Sequence, residues 1–112
     1  MTDKRNDNCH KQYIENVVAI YLQLPDTPLK PSYNDRITAS GFFIRQIPLP
    51  VIETALLLAS LRRLSRNDDQ PPLPPVRSLA YFAPVVQELE ASTLPDGYLQ
   101  YLRLKLRSLN KR

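Results

Sequence analysis

Eleven prolines against two glycines punctuate this chain of 112 residues, and that imbalance constrains its fold more than any other feature. Tight β-hairpins need residues at positive φ, supplied by Asn-Gly, Asp-Gly or Gly-Gly pairs between alternating apolar runs. No such arrangement occurs here. Proline instead suits the first turn of a helix, where its missing N–H costs nothing, and stops the helix before it. The chain therefore reads as helices separated by prolines, and the fold expected is all-α: one domain over residues 1–112, a compact bundle of about five helices.

The apolar spacing between the prolines supports this division. Over Asn8 to Leu24, Tyr13, Ile14, Val17, Val18, Tyr21 and Leu22 fall on one helical face. Residues 1–8 are polar and expected to fray. A weaker helical segment, about Asn34 to Gln46, carries Ile37, Phe42, Phe43 and Ile44 and is interrupted by Gly41. The strongest segment, Pro50 to Ser65, has Pro50 and Glu53 near its start and Arg62, Arg63 and Arg66 at or beyond its end, each on the favourable side of the helix dipole. Val51, Ile52, Ala55, Leu56, Leu57, Leu58, Ala59 and Leu61 leave it almost no polar face, as expected of a central helix surrounded by others. After a proline-rich connector at 65–75, Leu79, Phe82, Val86 and Leu89 resume helical spacing, and Pro84 predicts a kink or a break into two short helices. A last helix opens at Pro95 and Asp96 and carries the seam Leu99, Leu102, Leu106 and Leu109.

The net charge of +4 is unevenly placed. Residues 1–97 hold ten Lys and Arg against eleven Asp and Glu, whereas 98–112 hold five basic residues and no acid. An electrostatic partner should meet the C-terminal helix first. Arg103, Arg107 and Lys111 form a stripe at i, i+4, i+8 beside the leucine seam, with Lys105 and Arg112 nearby, and Tyr98 and Tyr101 could stack on unpaired bases. These five cations are the candidate nucleic-acid contacts, DNA or RNA, with Arg62, Arg63 and Arg66 as secondary basic candidates. The same cations also suit a helix C-terminus and keep a protein soluble.

Two interaction alternatives stand beside this one. In PPLPPVRSLAYFAP, residues 71–84, Pro72, Pro75 and Arg77 fit the P-x-x-P-x-R spacing of a polyproline II docking ligand. The competing reading is a stiff connector that fixes the angle between its flanking helices. A leucine seam left partly exposed at Leu99, Leu102, Leu106 and Leu109 would instead support a homodimer.

The chain also has the lengths of a helix-turn-helix about residues 46–50. A recognition helix must keep a polar face for the groove, however, and Val51 to Leu61 has almost none, which favours core scaffolding. A reader of this type would need Arg36, Arg45, Arg62 and Arg63 to face DNA.

Catalytic chemistry finds little to work with. Cys9 and His10 are the only cysteine and histidine; adjacent on a helix, they diverge by about 100° and supply at most two metal ligands. Glu88 and Glu90 point different ways on a helix, Asp68 and Asp69 lie in the connector, and no glycine-rich phosphate loop occurs. No enzyme activity, metal or cofactor is expected. A single cysteine, no signal-peptide pattern and no apolar run near the ~20 residues of a membrane span lead to an expected cytoplasmic location.

The stretch IPLPVIETALLLASLRRL followed by PPLPPVRSLAYFAPVVQELE, within residues 47–91, resembles a segment of small uncharacterised bacterial proteins associated with mobile elements or replication genes. The resemblance implies a DNA-related accessory role and carries over no site residue. The expected function is thus a non-catalytic accessory module that contacts nucleic acid, or a protein of a nucleoprotein complex, through its basic C-terminal helix. The rival is a protein-interaction adaptor that binds no nucleic acid.

Overall fold

The computed structural model describes residues 4–65, 69–71, 73–92 and 94–110, with side chains described from Asn8 to Ser108 within those ranges. Five α-helices follow one another: α1 (Lys4–Leu22), α2 (Tyr33–Ile44), α3 (Leu49–Leu64), α4 (Ala83–Glu90) and α5 (Tyr98–Asn110), with a 3₁₀ turn at Leu79–Phe82 leading into α4. There is no strand among the described residues. Helix α1 starts a turn earlier than the apolar spacing indicates, because its polar first turns extend the helix without contributing to the seam.

Helix α2 is defined from both ends. At its start Ser32 Oγ accepts from the Asp35 N–H at 3.1 Å, while Asp35 Oδ2 accepts from the Ser32 N–H at 2.9 Å, a reciprocal capping box. The second Asp35 oxygen accepts from the Leu79 N–H at 2.9 Å, so a carboxylate only 1% exposed joins α2 to the 3₁₀ turn. At its other end Gln46 lies at φ 61°, the Gln46 N–H reaches the Phe43 carbonyl and the Ile47 N–H reaches the Phe42 carbonyl. This is the Schellman ending, with buried Ile47 and Phe42 as its apolar contact. Gln46 occupies the position where glycine is usual.

Pro48 caps α3, and Pro50 lies in its first turn. Eight residues of α3 are buried, including Ile52, Ala55, Leu56 and Ala59, and the helix packs on α1, α4, α5 and the 3₁₀ turn. It is the central helix expected from its lack of a polar face. Its buried Thr54 hydroxyl donates back to the Pro50 carbonyl at 2.6 Å, which keeps a polar group satisfied inside the core.

Pro84 produces a change of helix type. The chain runs as a 3₁₀ turn to Phe82, the Ala83 N–H bonds the Ala80 carbonyl, and Pro84 then sits in the first turn of α4, where it removes no helical hydrogen bond. Phe82 meets Tyr21 edge to face at 6.0 Å, and Leu79, Phe82, Val86 and Leu89 are all buried. Helix α5 enters through Gly97 at φ 79° and packs on α3 through Leu102 and Leu106. Helix α2, by contrast, packs on α1 and the 3₁₀ turn. The α1–α3 pair therefore stands between α2 and α5 in a body of 57 × 32 × 23 Å.

Candidate nucleic-acid interface

Helix α5 turns Leu102, 2% exposed, and Leu106, 9% exposed, inward, with Leu99 half-buried beside them. The apolar seam is thus consumed by the chain's own core. A homodimer through Leu99, Leu102 and Leu106 would have to expose that core; the Leu109 side chain lies outside the described residues.

The cations of α5 divide into two flanks about the exposed Leu104. Arg103 and Arg107 share one flank by their i, i+4 spacing. Arg103 Nε and Nη2 both donate to the Glu53 carboxylate of α3 at 2.7 Å, a two-pronged pair whose hydrogen bonds raise the arginine's pKa above its ordinary value. Arg103 therefore ties α5 to α3 and, unlike Arg107, has an acidic partner within the protein. Arg107 is exposed and has no acidic partner among the described residues. Lys105 lies on the other flank, also exposed and unpaired among the described residues, one turn from Tyr101. Tyr101 is 56% exposed and stacks on Tyr98, with ring centroids 6.3 Å apart and planes at 20°. Lys111 and Arg112 lie outside the described residues.

The secondary basic candidates serve the fold. Arg62 donates twice to Glu88 of α4, at 2.8 and 3.1 Å, and this hydrogen bonding holds the Glu88 carboxyl below the usual carboxylate range. The Arg63 side chain is only 9% exposed: it donates to the Pro74 carbonyl at 2.8 Å and to the Tyr81 hydroxyl at 3.1 Å, lies 5.3 Å from the Tyr81 ring centroid, and has Asp26 at 3.6 Å. Arg66 lies outside the described residues. Arg36 pairs with Glu15 and Arg45 with Glu90. The four arginines that a helix-turn-helix reader would aim at DNA are therefore each engaged within the protein.

Pro75 and Arg77 are exposed, but the connector is tied down around them; Pro72 lies outside the described residues. Val76 is buried, its N–H donates to the Asp26 carbonyl at 2.9 Å, and Arg63 holds Pro74. A polyproline ligand must be free to enter a partner's groove. These contacts favour the stiff connector.

His10 is a packing residue. Its ring stacks on Phe43 at 4.5 Å and its Nε2 shares a 2.7 Å hydrogen bond with Ser40 Oγ, while neighbouring Cys9 is exposed. Glu88 and Glu90 each hold an arginine from another helix. No helix among the described residues is long and apolar enough to cross a membrane.

One surface was not anticipated from the sequence. Tyr33 is 79% exposed, Ile37 51% and Ile44 71%, and their spacing puts all three on the outward face of α2. A second apolar stripe beside Ala39 and Phe42 was the available signal. No protein-family model, curated protein or solved structure matches the chain.

Proposed function

We propose that the protein is a non-catalytic accessory module that contacts nucleic acid through the outward face of α5. The observation that carries this reading is the acid-free basic segment of α5. Arg36, Arg45, Arg62, Arg63 and Arg103 have internal partners and the exposed Lys11, Lys30 and Arg77 are dispersed along the chain, whereas Lys105 and Arg107 are exposed together on a segment that contains no acid and continues into Lys111 and Arg112. Cations concentrated on one helix attract a polyanion and release its condensed counterions on binding. Tyr101, exposed one turn from Lys105, adds a surface on which an unpaired base can stack.

Fluorescence anisotropy with labelled single-stranded and duplex DNA and RNA tests the reading. With two to four phosphates engaged, duplex affinity should fall between about 50 and 200 mM salt with a log–log slope of roughly −2 to −4. Lys105→Glu with Arg107→Glu should weaken binding by about 100-fold at 100 mM salt. Glu53→Gln, which releases Arg103 from its partner, should tighten it and steepen the slope by about one. Absence of binding at the lower salt, or indifference to the double charge reversal, would overturn the proposal.

A further inference from the structure

Helix α2 buries Ala39 and Phe42 as a surface helix should, but its outward face carries a second apolar stripe where polar residues are usual. Tyr33, Ile37, Ser40 and Ile44 follow one another at intervals of four, three and four residues, the spacing of a two-helix seam. The charged neighbours are neutralised, Arg36 by Glu15 and Arg45 just beyond the helix by Glu90. From these observations we infer that α2 is the interface for a second copy of this chain, packed antiparallel about a twofold axis.

The sequence of the face is complementary to its own reverse. In an antiparallel pair centred between residues 38 and 39, Tyr33 meets the partner's Ile44 and Ile37 meets the partner's Ser40, with Gly41 alongside. A large side chain thus faces a small one in each of the two inner layers. The space above Gly41 is open, since a Cβ built there would meet nothing within 4 Å, and the half-buried Ser40 hydroxyl already has a partner in His10 of α1. Ile37 has a hole of the right kind to enter.

Charge and area point to the same occupant. The protein carries +4 overall, so two copies repel unless they meet through a neutral face, and the outward positions of α2 supply one while α5 does not. Tyr33, Ile37 and Ile44 with their margins present roughly 500 Å² of helix surface, a patch of functional size for a monomer. A symmetric pair buries about 1,000 Å², the size at which a specific but weak interface begins, so the dimer should form in the micromolar range. This inference stands apart from nucleic-acid binding and can fail or hold without it.

Sedimentation equilibrium of the full chain up to a concentration of about 200 µM tests it. The expected result is a mass that doubles with concentration, returns to the monomer in Ile37→Glu and in Ile44→Glu, and is unchanged in Leu104→Glu on α5. Circular dichroism should show unaltered helicity in all three, since each side chain is exposed. The register is tested by oxidation in a Cys9→Ser background: Tyr33→Cys mixed with Ile44→Cys should form a cross-linked dimer, and either variant alone should not. A monomer throughout the concentration range, a dimer indifferent to both α2 variants, or cross-linking of each cysteine variant with itself in preference to the mixture would overturn the inference.

Discussion

Helices α2 and α5 are 12 and 13 residues long, yet opposite chemistries hold them to the molecule. Polar bonds fix α2 at its ends: the Ser32–Asp35 capping box, the Asp35 bond to Leu79 and the Schellman ending at Gln46. Only Asp35, Ala39 and Phe42 of α2 are buried, and its exposed face is apolar. Helix α5 is held along its length by Leu102 and Leu106 and by the Arg103–Glu53 pair, and its exposed flanks carry free cations. A helix secured by its termini can leave apolar side chains outside for a partner. One secured by its apolar seam keeps Leu102 and Leu106 inside and sets the isolated, exposed Leu104 among cations.

If this contrast is right, damage to the seam of α5 should cost more than damage to the polar ties of α2. Leu102→Ala empties a site only 2% exposed between α5 and α3 and should destabilise the protein by about 3 kcal/mol, read as the urea midpoint with an unchanged slope. Asp35→Ala leaves the Leu79 and Ser32 N–H groups without their acceptor and should cost about 2 kcal/mol, with the loss of helicity centred on α2 and the 3₁₀ turn. A larger penalty at Asp35 than at Leu102 would reverse the comparison.

The smallest effect is expected on α1, which packs between α2 and α3. Burial pushes the Tyr13 and Tyr21 hydroxyls up to about 12. The folded state thus holds these protons more tightly than the unfolded chain does. Their contribution to stability is complete below about pH 10 and is lost as pH rises through about 12. The Tyr13 hydroxyl donates to the Ile47 carbonyl just past α2, whereas the Tyr21 hydroxyl, buried, has no hydrogen-bond partner among the described residues. Tyr21→Phe should therefore change stability at pH 7 by less than about 0.5 kcal/mol while moving the alkaline transition upward. A loss of 2 kcal/mol or more at pH 7 would show that the hydroxyl has a partner after all.

Much of the fold was legible because proline and apolar spacing act locally. Pro50 and Pro84 both lie in first helical turns, and Leu79, Phe82, Val86 and Leu89 occupy the core that their spacing indicates. The state of the charges was not legible. Arg103 is separated from Glu53 by fifty residues and Arg62 from Glu88 by twenty-six, so which cations are free depends on helix packing that no local pattern reports. The same holds for α2, whose apolar residues fall into two stripes. The inward stripe is the one that shares its side with Asp35, whose carboxylate bonds a residue on the far side of the proline connector.

That bond also sets an order of events. Asp35 and Leu79 are 44 positions apart, and between them lie all of α3 and the connector. The carboxylate cannot reach the Leu79 amide until this loop has closed, at an entropic cost that grows with the logarithm of its length. Prolines along the connector narrow the unfolded ensemble and reduce that cost. The same carboxylate caps α2, so the N-terminus of α2 and the turn into α4 should lock together late in folding and open together in the native state. Their amides, Ser32 and Leu79, should exchange with solvent through one shared opening although they belong to different halves of the chain.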